Sequence, residues 1–193
     1  ICNSTNLSKL FSLGKLSYTG KFSKNFKDNI AKDYLNLIMC QKCFLVQLDR
    51  NFNPNFLYAN NYGYRTGINK TMTNHVKTVT KEAIKISNIK KKDYVLDIAS
   101  NDGTLLNFYN KNLIKVGIDP LINKYIKYYK NINYKISDFF SFKKLNQYKL
   151  NKRFKIITAL SVFYDLKNPN AFIKDIKKLL HKEGVFILEH ADL

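Results

Sequence analysis

The feature that most constrains the fold is a regular alternation of short apolar segments and helix-forming segments between residues 94 and 189. Five apolar segments predict strands, at residues 94–99, 115–119, 134–136, 155–160 and 184–189. Apolar periodicity near 3.6 predicts helices at residues 71–87, 104–111, 121–129 and 170–181. Near-continuous apolar strands that alternate with helices indicate an α/β fold with a parallel sheet covered on both faces.

The first 70 residues have a different character. They contain all three cysteines and no long periodic segment, which is typical of a small module of short strands and loops. No apolar run reaches the roughly 18 residues needed to span a bilayer, and no secretory signal opens the chain. We therefore expect a cytoplasmic protein without a membrane partner. Because the chain begins at Ile1, we interpret it as a fragment.

The charge balance is strongly basic, with 33 Lys and Arg residues against 14 Asp and Glu residues and a net charge of +19. Such an excess often accompanies nucleic-acid binding, which requires basic residues gathered on one surface. Here the lysines are scattered, and the longest run, residues 90–92, sits in a predicted turn before a strand. We therefore expect no nucleic-acid partner.

Acidic residues follow three consecutive predicted strands. Asp97 and Asp102 flank a loop of small residues that closes on Gly103 and opens a helix. The dinucleotide fingerprint G-x-G-x-x-G is absent, and two carboxylates would repel a pyrophosphate. Because ligands of such sheets bind beyond the carboxyl ends of the strands, this loop favours a cationic or hydroxyl-rich ligand.

The next two strand ends suit a nucleoside. Asp119 follows the second strand, where an acid commonly bonds ribose hydroxyls. Asp138 and Phe139 follow the third strand, and a carboxylate beside an aromatic ring suits adenine. The structural alternatives are that Asp102 and Asp138 cap local turns and that the phenylalanines fill the core.

The loop also carries a family resemblance. The segment VLDIASNDGTLL at residues 95–106 resembles the first motif of class I S-adenosylmethionine-dependent methyltransferases. It is most similar to the branch that joins a zinc-binding module to the methyltransferase domain and includes C-methyltransferases of nucleotide-linked deoxysugars. CQKCFLVQL at residues 40–48, YGYRT at residues 62–66 with His75, and SVFYDL at residues 161–166 resemble further segments of that branch.

The resemblance implies a zinc-binding module at residues 1–70 followed by a truncated methyltransferase domain at residues 71–193. It implies a Rossmann-like methyltransferase sheet that is incomplete at about five strands. The cofactor would be S-adenosylmethionine, held by Asp97, Ser100, Asn101, Gly103, Asp119, Asp138, Phe139 and Ser161. Two departures from the family are Ala99, where glycine is frequent, and Asp165, near which many relatives carry a histidine.

The cysteines form an incomplete metal-binding pattern. Cys40 and Cys43 are two residues apart in the way thiolates share one tetrahedral Zn²⁺ ion, and Cys2 brings the number of thiolates to three. The alternative is three unrelated buried thiols. By the resemblance, all three would hold a structural Zn²⁺, and the fourth ligand would precede Ile1.

The resemblance implies methylation of a carbon beside a ketone, through an enolate, on a nucleotide-sugar substrate. It places the catalytic base beyond Leu193 and leaves Tyr64 and His75 as catalytic candidates, with Tyr62 and Arg65 on the substrate side. In a chain with 13 tyrosines, such tyrosines are often packing residues. The competing hypotheses are an NAD-dependent sugar-modifying oxidoreductase and a noncatalytic module that binds zinc and nucleic acid.

Overall fold

The computed structural model divides the chain into two compact units, Ile1–Gly63 and Tyr64–Leu193, which we call the N-terminal and C-terminal units. It describes residues 2–18, 25, 29–58, 62–151 and 153–190. The division falls seven residues before the boundary expected at residue 70.

The N-terminal unit is built on an antiparallel sheet of three strands in the order β1-β2-β3. Its elements are β1 (Leu7–Ser17), β2 (Lys32–Cys40), β3 (Val46–Leu48) and a short helix α1 (Pro54–Tyr58). β1 and β2 are longer than the short strands that the sequence predicts for this module. Since neither face of this sheet is fully buried, its sequence carries no clean alternation of apolar and polar residues.

The C-terminal unit contains a five-stranded parallel sheet in the order β6-β5-β4-β7-β8. The strands are β4 (Tyr94–Ile98), β5 (Ile114–Ile118), β6 (Tyr134–Ile136), β7 (Phe154–Leu160) and β8 (Leu180–Glu189). All five lie where the apolar segments predict them, although β8 begins four residues earlier. This topology confirms the α/β, Rossmann-like methyltransferase fold.

The helices of the C-terminal unit are α2 (Lys70–Ser87), α3 (Thr104–Asn107), α4 (Ile122–Tyr125), α5 (Phe142–Gln147) and α6 (Pro169–Leu179). α2 begins where the Asn69 side chain accepts hydrogen bonds from two backbone N–H groups of the first turn. α3 and α4 are shorter than predicted, in segments rich in asparagine and tyrosine, which are weaker helix formers. No helix in the described ranges is long and apolar enough to cross a bilayer.

The core of the C-terminal unit lies between the sheet and its helices. Buried side chains recur on α2 at Val76, Thr80, Ala83 and Ser87, a spacing of three and four residues that faces one side of a helix. In the three central strands, β5, β4 and β7, nearly every residue is buried, whereas most residues of the edge strands β6 and β8 are not. The strands therefore hold their carboxyl ends in fixed positions along one edge of the sheet, where the predicted site residues lie.

Candidate active site

The loop that follows β4 makes a tight turn against the neighbouring strand. The backbone N–H groups of Ala99 and Ser100 both donate to the carbonyl of Ile118, at 2.9 and 3.4 Å. Ala99, Asn101 and Gly103 all have positive φ, at 57°, 49° and 75°. Ala99 thus adopts a left-handed conformation that glycine adopts without strain, which explains the glycine frequently found at this position in the family that the loop resembles.

Asp97 is a buried carboxyl at the centre of the sheet edge, with 4% of its surface exposed. Its Oδ1 accepts a hydrogen bond of 2.5 Å from the Thr158 hydroxyl on β7. Burial raises the pKa of Asp97 to about 7, and the nearby Asp119 adds to the rise, whereas the Thr158 bond opposes it. A cation placed beside Asp97 would stabilise its ionised form.

Asp119 joins the loop after β4 to the loop after β5. Its Oδ2 accepts from the Asn101 N–H at 2.9 Å, and its Oδ1 accepts from the Leu121 N–H at 2.7 Å. Burial raises the pKa of Asp119 to about 6 despite these two bonds. Because each carboxylate oxygen has a second lone pair, Asp119 can still accept hydrogen bonds from two hydroxyls.

Ser100 is held from the adjacent loop by a tyrosine that sequence reasoning missed. The Ser100 hydroxyl lies 2.8 Å from the Tyr129 hydroxyl, which also donates to the Asn101 carbonyl at 2.9 Å. The Tyr129 ring packs against Gly103 so closely that an added Cβ would lie 3.1 Å from it. The only sequence signal for Tyr129 is its place at the end of the predicted helix 121–129.

The side chains of Asn101 and Asp102 hold the segment that precedes α2. Asn101 accepts from the Thr66 N–H at 3.0 Å and donates to the Tyr64 carbonyl at 3.1 Å, and Asp102 accepts from the Gly67 N–H at 3.0 Å. The Asn101 side chain, expected at the cofactor, is therefore already bonded within the protein. Asp102 also accepts from the backbone N–H at the start of α3, which matches the alternative interpretation of this residue.

Arg65 lies across the same segment. Its guanidinium carbon is 4.1 Å from the centroid of the Tyr128 ring, and its Nη1 is 3.6 Å from Asp102 Oδ2. Asp102 is almost fully buried and Arg65 is one-fifth exposed. The guanidinium thus balances a buried carboxylate and keeps further N–H donors for a ligand.

Tyr62 belongs to the N-terminal unit, where its ring packs edge-on against Tyr58.

Of the residues that follow β6, Asp138 and Phe139 are partly exposed at the sheet edge, whereas Phe140 packs against the core. Asp138 pairs with Lys144 at 2.6 Å, and this bond lowers the pKa of Asp138. Phe139 is half-buried, whereas Phe140 packs edge-on against Phe172 in the core. The expectation that phenylalanine fills the core therefore applies to Phe140. The Asp119 N–H donates to a carbonyl two residues before Asp138, so both acids belong to one sheet edge.

At the other end of this sheet edge, Ser161 and His75 both bond to Glu189, a residue that the sequence analysis did not predict. The Ser161 hydroxyl donates to Glu189 Oε1 at 2.9 Å, and His75 Nε2 bonds to Glu189 Oε2. Their separations in sequence are 28 and 114 residues, so no local pattern indicates the contacts. Tyr64 contributes its carbonyl to Asn101 and leaves its side chain 43% exposed.

The three cysteines form a separate cluster within the N-terminal unit. The sulfur atoms of Cys2, Cys40 and Cys43 lie within 4.8 Å of one another, and 3.5 Å separates the sulfurs of Cys2 and Cys40. Hydrogen bonds from the backbone of Cys43 and Lys42 lower the pKa of Cys40 to about 6. Three sulfurs at this separation, one readily ionised, suit the tetrahedral coordination of Zn²⁺ with a fourth ligand.

Comparison with known proteins agrees with the topology. A family model described as a methyltransferase domain matches residues 69–193. A comparison with curated proteins gives no significant match. Among solved structures, the plantazolicin methyltransferase BpumL in complex with a desmethyl-plantazolicin analogue and S-adenosylhomocysteine is 20% identical, with a TM-score of 0.47 over 59% of this chain and 44% of that one.

Two further solved structures are similar at the same level. Coclaurine N-methyltransferase, bound to N-methylheliamine and S-adenosylhomocysteine, is 19% identical with a TM-score of 0.46 over 61% of this chain and 35% of that one. An S-adenosylmethionine-dependent methyltransferase from Clostridium acetobutylicum is 20% identical with a TM-score of 0.47 over 60% and 49%. The chain spans less than half the length of each. Because the family model covers the whole parallel sheet, the chain belongs to the methyltransferase-domain family, as the S-N-D-G loop predicts.

Proposed function

We propose that the chain binds S-adenosylmethionine at the carboxyl edge of its parallel sheet and transfers the methyl group to a small molecule. The observation that carries this proposal is the pair of buried carboxyls Asp97 and Asp119, joined through the loop after β4. Burial raises the pKa of both groups, so each is stabilised by a cation or by hydroxyl donors. S-adenosylmethionine supplies both, in its ammonium and sulfonium groups and in its ribose.

The amino-acid end of the cofactor lies at β4 in this proposal. Asp97 faces its ammonium group, and the backbone of Ser100, Asn101 and Gly103 approaches its carboxylate. The support for this assignment is the tight turn of the loop, which has positive φ at Ala99, Asn101 and Gly103 and keeps the backbone compact at the carboxyl end of β4. Ser161, after β7, lies on the side where the methyl group leaves.

The nucleoside end lies at β5 and β6. Asp119 accepts from the ribose hydroxyls, Asp138 accepts from the adenine amino group, and Phe139 packs against the base. The ion pair with Lys144 supports this role for Asp138, since it lowers the pKa and keeps the carboxylate ionised as an acceptor. The half-buried position of Phe139, apart from the core that holds Phe140, leaves a ring face for the base.

For the acceptor we propose a nucleotide-linked deoxysugar that is methylated on carbon through an enolate. Arg65 binds a phosphate with its remaining N–H donors. Tyr64, with its exposed side chain, donates to the developing oxyanion, and His75 handles a proton. The support is the basic and phenolic chemistry of these side chains together with the resemblance of residues 62–75 to the sugar C-methyltransferases.

In the N-terminal unit we propose a structural Zn²⁺ held by Cys2, Cys40 and Cys43 and a fourth ligand. The support is the closeness of the three sulfurs and the lowered pKa of Cys40, because Zn²⁺ binds thiolates rather than thiols. All ligands come from protein, so this ion has no open position for a substrate.

Calorimetric titration with S-adenosylhomocysteine and with NAD tests the cofactor assignment. We expect S-adenosylhomocysteine to bind and Asp119→Ala to weaken it by roughly 30-fold or more, because two charge-assisted hydrogen bonds are lost. Asp49→Ala is the matched control, since it removes an exposed carboxylate of the N-terminal unit. Binding of NAD alone would favour the oxidoreductase, and binding of DNA alone with a steep salt dependence would favour the noncatalytic module.

A further inference from the structure

The carboxylate of Glu189 connects two side chains from distant parts of the C-terminal unit. His75 lies on α2, Ser161 directly follows β7, and Glu189 ends β8. One carboxylate oxygen accepts from Ser161 at 2.9 Å, and the other bonds to Nε2 of His75. Ser161 has a φ of 52°, and its backbone N–H also donates to the Glu189 carbonyl at 3.1 Å. Glu189 is thus held by three hydrogen bonds from two residues.

We propose that Glu189 is a positioning residue that fixes the tautomer of His75, so that Nδ1 accepts the proton released during methyl transfer. The proposal rests on the methyl transfer proposed above and deepens it. It assigns the carboxylate, the serine and the imidazole to one chain of hydrogen bonds. His75 is the catalytic residue of this chain, while Glu189 and Ser161 act through it.

The hydrogen-bond pattern determines which nitrogen is basic. An ionised carboxylate only accepts hydrogen bonds, so Nε2 of His75 must carry the hydrogen that it shares with Glu189. In a neutral imidazole the other nitrogen then has the lone pair. Within the described part of the chain, Nδ1 of His75 has no hydrogen-bond partner. It is therefore available to a bound acceptor.

The position of Glu189 in the sheet places these hydrogen bonds on the side where the methyl acceptor would bind. The strand order is β6-β5-β4-β7-β8, and Leu160 pairs with Glu189 at the carboxyl edge. Asp138 and Asp119 lie on one side of β4, and Glu189 lies on the other. A cofactor whose adenine lies at β6 and whose amino acid lies at β4 leaves the edge of β7 and β8 for the molecule that receives the methyl group.

The proton step balances without another reactant. Nδ1 of His75 first takes the proton from the carbon beside the ketone, and the electron pair of that C–H bond forms the enolate. The enolate carbon then forms a bond to the methyl carbon while the bond between that carbon and the sulfonium sulfur breaks, and both electrons of the broken bond stay on sulfur. The positive charge lost at sulfur reappears on the imidazolium, where the carboxylate of Glu189 stabilises it. The proton then leaves to solvent.

Exposure of the pair agrees with a role toward a ligand. The His75 side chain is 44% exposed and the Glu189 side chain is 32% exposed. Ion pairs that are this exposed contribute little to folding, because solvent screens them. Both side chains remain within reach of a molecule bound at the sheet edge.

Nitrogen NMR of histidine-labelled protein at pH 8.5 tests the tautomer directly, with the His75 signals assigned from His75→Asn. We expect the Nε2–H tautomer of His75 in the wild-type protein and a change of about tenfold in the tautomer ratio in Glu189→Gln. Ser161→Ala should cause a smaller change. Glu183→Gln is the matched control, because its carboxylate pairs with Lys155. His181, whose Nδ1 accepts from the Glu183 N–H, serves as an internal reference.

The same samples then report on the methyl group. Saturating S-adenosylmethionine should shift the His75 nitrogen signals more than S-adenosylhomocysteine does, because only the former carries the sulfonium charge. An Nδ1–H tautomer in the wild type, or a Glu189→Gln protein with the wild-type tautomer ratio, would overturn the positioning role. Equal shifts with the two cofactors would overturn the link to the methyl group. Failure of both cofactors to bind would reject methyl transfer, while the tautomer measurement would still decide whether Glu189 orients His75.

Discussion

The two units of the chain differ in how much they bury. Among the described residues, the only buried side chain of the N-terminal unit is Cys40, whereas the C-terminal unit buries a continuous cluster on its strands and on α6. In β1, Leu10, Phe11 and Leu13 remain 45–57% exposed. Burial of apolar side chains can therefore stabilise the folded C-terminal unit, whereas the N-terminal unit requires another source of stability.

The cysteine cluster is the feature of the N-terminal unit that can supply this stability. Cys40 ends β2 and Cys2 lies just ahead of β1, so an ion held by both ties the two longest strands together. In small units, the free energy of metal binding becomes free energy of folding. With the proposed Zn²⁺ bound, the contrast between the units is between stabilisation by buried side chains and stabilisation by a metal held by cysteines.

The largest expected effect is the unfolding of the N-terminal unit while the C-terminal unit stays folded. Cys40→Ser, or removal of Zn²⁺ with a chelator, should reduce amide protection in β1 and β2 to the level of an unfolded chain, because the unit buries too little to fold without the ion. Protection in β4 and β5 should not change. Hydrogen exchange read by mass spectrometry measures both units at once.

The matched control is Ser17→Ala, at the exposed end of β1. If β1 and β2 keep their protection after the metal is removed, the sheet is stable by itself and the contrast drawn above is wrong.

A smaller effect compares two leucines. Leu96 on β4 is 1% exposed and Leu10 on β1 is 45% exposed. Leu96→Ala should lower the free energy of unfolding of the C-terminal unit by about 2–5 kcal/mol, because it removes buried methyl groups and leaves a cavity. Leu10→Ala should cost under about 1 kcal/mol in its own unit. Urea titrations followed through leucine methyl NMR signals measure each unit, and equal costs would contradict the difference in burial.

The smallest effect concerns pH, which should act in opposite directions on the two units. Burial raises the pKa of Asp97 above its ordinary value to about 7, so the folded C-terminal unit binds a proton more tightly than the unfolded one. Its stability without cofactor should therefore fall as pH rises, by about 1–2 kcal/mol between pH 5 and pH 7. The N-terminal unit with the proposed Zn²⁺ bound should respond with the opposite sign: its stability falls as pH decreases, because protons compete with the ion for the thiolates.

Urea titrations at several pH values, followed through the same methyl signals, measure this pair of slopes. Asp97→Asn should flatten the dependence in the C-terminal unit and leave the N-terminal unit unchanged. Slopes of the same sign in both units would show that other groups control the response.

The sequence predicted the C-terminal unit well because its three central strands, β5, β4 and β7, are buried on both faces. Apolar segments such as residues 94–98 and 154–160 admit few alternatives, and their order determines the sheet. α5 was missed because it has six residues and a single buried one, Leu145, which is too little for a periodic pattern. The length of β1 was underestimated for a related reason, since neither of its faces is buried and its sequence shows no regular alternation of apolar and polar residues.

For the site, the sequence located the sheet edge but not the bonds across it. Asp97 and Asp119 were predicted from their positions at the carboxyl ends of strands, and that reasoning needs only local order. The role of Glu189 depends on His75, 114 residues away, and on a serine that the folded sheet brings beside it. The engagement of Asn101 with the segment before α2 was equally hidden, because its partners are backbone groups that carry no residue signature.

The hydrogen bonds of Asn101 have a consequence for what this position tolerates. Its carboxamide offers one acceptor to the Thr66 N–H and one donor to the Tyr64 carbonyl, so the two halves of the planar group are not interchangeable. Aspartate has nearly the same shape but would point a second oxygen at a carbonyl oxygen. An aspartate at this position would therefore lose the bond to the Tyr64 carbonyl and weaken the attachment of the loop to residues 64–67.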